Sequence, residues 1–91
     1  MNKAALIDRV WEKTQLQKKD CGAVLDAALE AITEALGSGE AVRLTGFGSF
    51  ETKARKERIG RNPQTKAPVI IPASRVPVFK AGKALKEAVQ S

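Results

Sequence analysis

The sequence predicts an α+β fold: two N-terminal helices, a small antiparallel sheet extended into a long basic β-ribbon arm, and a short C-terminal helix. Three observations carry this expectation. The first forty residues repeat apolar side chains at helical spacing, residues 41–50 alternate like strands around a glycine turn, and residues 52–75 hold most of the excess positive charge. At 91 residues the chain has room for one domain rather than two. That domain divides into a helical part at 1–40, a sheet and arm at 41–79 with the arm at about 52–75, and a last helix at about 81–90.

The first helix begins after Asn2, whose short amide side chain suits an N-cap, and it places Leu6, Ile7, Val10 and Trp11 on one stripe before ending near Lys13 or Thr14. A second helix runs from about Lys18 to Leu36. Its apolar face holds Cys21, Leu25, Ala28, Leu29, Ile32 and Leu36, with Asp26, Glu30 and Glu34 away from it, and Gly37-Ser38-Gly39 supplies the stop. Gly22 costs the first turn about 1 kcal/mol relative to alanine.

Ala41-Val42-Arg43-Leu44-Thr45 alternates as a short half-buried strand does, and Gly46-Phe47-Gly48 supplies the turn of a hairpin. Beyond Phe50 the pattern changes. Thr52 to Arg58 puts charge on both alternating faces, so this strand has no face to bury and must leave the core. The return limb, Lys66 to Val78, contains Pro68, Pro72 and Pro77, which a sheet tolerates only at unpaired edges. A two-stranded ribbon has only edges. Turning around Gly60 to Thr65, limbs of roughly ten residues reach about 33 Å at ~3.3 Å per residue. After the ribbon, Ala81 to Val89 reads as a helix with Leu85, Ala88 and Val89 inward and Lys80, Lys83 and Lys86 on another face.

Composition narrows the function. Sixteen Lys and Arg against ten Asp and Glu give a net +6 and a pI near 9.8, which makes polyanions the natural partners. The charge is concentrated. Residues 1–40 carry five basic and seven acidic side chains, a net −2, whereas 41–91 carry eleven and three, a net +8. In the arm, Lys53, Arg55, Lys56, Arg58, Arg61, Lys66 and Arg75 oppose only Glu57. The longest uncharged stretch, Ala67 to Ser74, is far short of the roughly 20 residues of a membrane span, and the N-terminus lacks the apolar run of a signal peptide. A cytoplasmic location follows, and the lone Cys21 fits a reducing compartment. With no His and no Tyr, the commonest general base and metal ligand are missing, so neither catalysis nor a cofactor is expected.

If about 24 residues form an arm, fewer than 70 must supply the whole core, and domains that small rarely gain more than about 3–5 kcal/mol alone. Without disulfide or metal, association remains. A two-fold dimer would share a core built from Phe47, Phe50, Phe79, Leu29, Ile32, Leu36 and Leu44 and would present two arms. The alternative is that the three phenylalanines fill a monomer core.

A basic ribbon suits a phosphate backbone, because each Lys or Arg that neutralises a phosphate releases counterions. A charge run is also often a mere solvated face, and ribosomal or membrane-surface roles share the same sign. The tip adds information. Pro63 is a rigid apolar ring flanked by Arg61, Asn62 and Gln64, side chains able to read minor-groove acceptors. The competing reading is that Asn62-Pro63 only builds a turn. Elsewhere, Cys21 reads as core filler or redox sensor, and Trp11 as packing or a stacking platform. Val69, Ile70 and Ile71 either anchor on a sugar edge or hold the ribbon together.

Gly46-Phe47-Gly48-Ser49-Phe50, Arg55, Arg58, Gly60-Arg61-Asn62-Pro63-Gln64-Thr65 and the closing Pro77 to Lys86 segment resemble the signature of the bacterial HU and integration host factor family, over the whole chain. The resemblance implies an intertwined homodimer whose arms follow the minor groove of double-stranded DNA, with Pro63 of each arm inserted between base pairs. It implies phosphate contacts from Lys53, Arg55, Lys56, Arg58, Arg61, Lys66 and Arg75, extended over the body by Lys3, Lys80, Lys83 and Lys86. It further implies a preference for bent, nicked or distorted DNA, weak binding of RNA, and a nucleoid location, with a paralogue as a possible second subunit. Pro63-Gln64-Thr65 is similar to the general binders of the family rather than to its sequence-selective heterodimers. Lys66 stands where the family commonly has glycine, and Gln17 where it has Ser or Thr.

Overall fold

The computed structural model describes residues 1–90. They form two compact units, one from Met1 to Glu34 and one from Ala35 onward.

The first unit holds α1 (Lys3–Thr14) and most of α2 (Lys18–Gly37). Asn2 caps α1 as the sequence predicts, its Oδ1 accepting from the Ala5 N–H at 2.9 Å. The helix closes on Gln15, whose backbone is left-handed at φ 59° and whose N–H donates to the Trp11 carbonyl. Between the helices the chain wraps a small polar knot around Cys21. The Cys21 sulfur lies 3.6 Å from Thr14 Oγ1 and 3.8 Å from the Leu16 carbonyl oxygen. Cys21 is 1% exposed, the one buried hydrophobic side chain among the described residues. It is packed as core filler. Trp11 is half-buried with Lys18 Nζ 5.0 Å from the centre of its ring, a packing position rather than an open stacking platform.

The second unit is built on a three-stranded antiparallel sheet of order β1 (Val42–Leu44), β2 (Gly48–Arg55), β5 (Ser74–Ala81). The hairpin between β1 and β2 closes through a Phe47 N–H to Leu44 carbonyl bond of 2.9 Å. Register pairs Val42 with Phe50 and Phe50 with Phe79, which puts Val42, Leu44, Phe50 and Phe79 on one face. Phe79 stacks obliquely on Phe50 and Phe47, with ring centroids 4.9 and 5.5 Å apart. The other face carries Arg43, Ser49, Glu51, Lys53, Arg55 and Lys80.

Two sequence expectations need correction. The arm is not one continuous ribbon. The β2–β5 ladder runs out to Arg55 opposite Ser74, residues 56–57 and 72–73 lie outside any ladder, and pairing resumes between β3 (Arg58–Arg61) and β4 (Pro68–Ile71). Pro72 falls in the break, because a residue without an N–H cannot donate to the ladder. Pro68 and Pro77 stay within strands, since β4 pairs on one side only and β5 is a sheet edge. The last helix, α3 (Lys83–Gln90), begins two residues later than expected. Ala81 still pairs with Gly48, and the Gly82 N–H donates to the Phe47 carbonyl at 2.7 Å, so the strand's bonding uses up those residues first. Among the described residues, no helix is long and apolar enough to cross a membrane.

Candidate nucleic-acid interface

The arm tip is a turn organised by one side chain. Asn62 Oδ1 accepts from the N–H groups of Gln64 (2.8 Å) and Thr65 (3.3 Å), while its backbone carbonyl accepts from the Lys66 N–H (2.7 Å) and its N–H donates to the Ala67 carbonyl (2.9 Å). Thr65 Oγ1 accepts from the Ala67 N–H at 3.3 Å. Every bond in this set is local, so the four residues after Asn62 are held without any core beneath them. Pro63 is exposed at the apex. Asn62 therefore does build the turn, and the turn presents Pro63.

Lys66 adopts a left-handed backbone, φ 60°, so this side chain occupies a conformation that glycine adopts more cheaply. Arg61 Nη1 reaches back 3.5 Å to the Lys66 carbonyl. Lys53, Arg55, Lys56, Arg58, Arg61, Gln64 and Lys66 are all exposed along the arm. Where the two ribbons meet, Arg55, Lys56 and Arg58 line a cavity of about 260 Å³ together with Ile71, Pro72 and Ser74. Three cations and no carboxylate border it, which is a setting for an anion.

A profile of the family described as bacterial DNA-binding protein matches residues 1–90. DNA-binding protein HU of Staphylococcus aureus is 54% identical over 90 residues, spanning 99% of this chain and all of that protein. The chain belongs to the HU family of bacterial DNA-binding proteins.

The HU protein of Nostoc sp. is 56% identical over 89 residues, 98% of this chain and 95% of the relative. Among solved structures, an Anabaena HU–DNA cocrystal structure superposes with a TM-score of 0.94 at 56% identity, covering 98% of this chain and 97% of the other. An HU variant from Thermotoga maritima gives 0.73 at 45% identity, with 98% and 99% covered. Helices, sheet and paired arm strands are the α+β architecture expected of this family.

Within this HU-family chain, not every cation predicted for the interface is equally placed. Arg75 pairs in register with Ala54, on the Phe50 face of the sheet, and its Nη2 donates to the Gly37 carbonyl at 3.1 Å. It binds the open end of α2. Lys3 is ion-paired with Asp26 on the exposed helical surface, and Lys80 Nζ lies 3.3 Å from Glu51 Oε2. Lys83 and Lys86 are exposed on α3. Arg43 was missed. It shares a sheet row with Ser49 and Lys80, on the face of Lys53 and Arg55. The signal was present in the alternation of β1, where Val42 and Leu44 turn one way and Arg43 must turn the other.

Proposed function

We propose that the chain, residues 1–91 acting as one domain, is a non-catalytic, chromosome-organising protein that binds double-stranded DNA with little sequence specificity and bends it. Two copies share a core, and the two arms enter the minor groove. Pro63 wedges between base pairs, while Lys53, Arg55, Lys56, Arg58, Arg61 and Lys66 hold phosphates on either side. Lys3, Lys80, Lys83 and Lys86 extend the phosphate contact over the body, and Asn62 and Gln64 face groove acceptors. Such a protein resides on the nucleoid.

The observation that carries this reading is the tip itself: a rigid, exposed proline, held by an Asn62-centred turn, at the end of a cationic two-stranded ribbon. A mere solvated charge run would need no such apex. Unstacking a base step costs a few kcal/mol, so DNA that is already nicked or distorted binds better than relaxed duplex.

Competition binding of wild type and Pro63→Ala to linear duplex, nicked duplex and structured RNA across a salt series tests it. The expected result is a preference for nicked duplex and a steep salt slope, with Pro63→Ala lowering the preference while leaving the slope nearly intact. Preference for RNA, or a Pro63→Ala variant indistinguishable from wild type, would reduce the arm to a cationic tether.

A further inference from the structure

The break between the two ribbons of the arm is hollow. The inner ladder ends at Arg55 opposite Ser74, and the outer one begins at Arg58 opposite Ile71. These four residues, with Lys56 and Pro72 from the break itself, line the cavity of about 260 Å³. A single water requires only roughly 10–15 Å³, so the space admits a polyatomic group. Ile71 and Pro72 make part of its wall apolar, and Ser74 adds a hydroxyl donor beside the three cations. Several cations elsewhere are partnered: Lys3, Lys18 and Lys80 are ion-paired with Asp26, Asp8 and Glu51, while Arg75 and Arg61 donate to the carbonyls of Gly37 and Lys66. The side chains of Arg55, Lys56 and Arg58 have no ion pair or hydrogen bond among the described residues. Glu57, the one carboxylate of the arm, does not line the cavity. Three like charges therefore stand together uncompensated, beside an apolar wall that withholds some of the water that screens them.

We propose that this cavity is a site for a free pyrophosphate group, inorganic or carried by a nucleotide, and that binding it fixes the outer ribbon on the inner one. The charge count selects the ligand. A nucleic-acid strand offers one charge per phosphate and places the next a nucleotide away, so one backbone phosphate leaves most of this cluster uncompensated. Adjacent phosphates on a small molecule bring several charges into one cavity. Each guanidinium presents a planar fork of donors to phosphate oxygens, and Lys56 adds a point charge. The mechanical consequence follows from where the two arginines stand. Arg55 belongs to the last pair of the inner ladder and Arg58 to the first pair of the outer one, so an anion held by both spans residues 56–57 and 72–73, where no ladder bond does. Opening of the outer ribbon separates the two arginines and empties the site, and the ligand opposes that opening by mass action.

The test uses the full chain without DNA, so its outcome does not depend on the arm's reading as a DNA clamp. Calorimetric titration with pyrophosphate, ADP, AMP and sulfate at matched ionic strength is run on wild type, on Arg55→Gln/Arg58→Gln, and on Lys13→Gln/Lys19→Gln, which removes the same charge from the exposed helical surface. Expected is one pyrophosphate or ADP per chain, bound at least tenfold more tightly than AMP or sulfate, the tighter of the two naming the source. Arg55→Gln/Arg58→Gln should weaken that binding by at least tenfold, and Lys13→Gln/Lys19→Gln should retain it. Hydrogen exchange on wild type reads the second half of the proposal. With pyrophosphate at ten times its Kd, amides of 58–61 and 69–71 should exchange about tenfold more slowly, and those of 48–55 should be unchanged. Sulfate or AMP binding as tightly as pyrophosphate, or equal weakening in the two double variants, would reduce the cavity to general charge attraction and overturn the proposal. Binding that left exchange in the outer ribbon unaltered would overturn the bridging of the break.

Discussion

An alanine at position 48 would bring its Cβ to 2.6 Å from the Lys80 carbonyl oxygen and equally close to the Phe79 ring. One of those atoms is backbone in a paired strand, so the neighbour cannot simply swing aside. Gly48→Ala is expected to lower stability by about 2–3 kcal/mol in chemical denaturation, the cost of overpacking a tight site. Arg75 offers a different kind of residue-level test. Its guanidinium sits on the Gly37 carbonyl, and a cation at a helix C-terminus contributes roughly 0.3–1 kcal/mol. Arg75→Ala should therefore lose about that much stability while leaving the salt slope of DNA binding nearly unchanged. Substituting an arginine that holds a phosphate would do the opposite, flattening the slope by about 0.9 for each phosphate no longer neutralised.

At the scale of elements, the two ribbons differ in what supports them. The β2–β5 ladder is eight pairs long and continues into β1, with Phe50 and Phe79 packed upon it, whereas β3 and β4 share four pairs and pair with nothing else. An isolated two-stranded hairpin is marginal in water. In the free protein, amides of 58–61 and 69–71 should exchange with solvent much faster than those of 48–55 and 78–81, as hydrogen exchange read by NMR would show; equal protection would contradict it. Relieving the left-handed backbone of Lys66 should recover part of the difference. Lys66→Gly removes about 1 kcal/mol of strain, so exchange at Asn62 and Ala67 is expected to slow by about fivefold. These elements also mark how far the sequence could be read. Helical spacing and the Asn2 cap placed α1 and α2 to within a residue, and charge on both faces of 52–58 placed the arm. The break at 56–57 and 72–73 was not legible, because prolines mark edges without saying which one interrupts a ladder. Nor was the role of Arg75, whose partner is 38 residues away and lies on a helix end that no local pattern connects to it.

For the whole molecule, the arithmetic of burial points to association. Cys21 alone is a buried hydrophobic side chain among the described residues, while Leu29, Phe47 and Phe79 remain 50%, 47% and 42% exposed. Met1, Leu6, Leu25 and Leu29 line an open apolar groove on the helical unit. Side chains of this size each contribute about 1.5–3 kcal/mol when fully removed from water, so one copy leaves much of its potential core unused. A second copy is the economical cover, because a two-fold interface meets each such surface with its own counterpart. Folding is then linked to protein concentration. A tenfold increase adds about 1.4 kcal/mol, which for a dimer of this size raises the thermal midpoint by roughly 3–6 °C. Calorimetry over a hundredfold concentration range should show that rise, and sedimentation should show twice the chain mass. Phe79→Ala, which strips the ring that Phe47 and Phe50 both touch, should cost about 3–5 kcal/mol and shift the monomer–dimer balance towards unfolded monomer. A midpoint independent of concentration would mean instead that the three phenylalanines close a core within one chain, and each arm would then have to bind DNA alone.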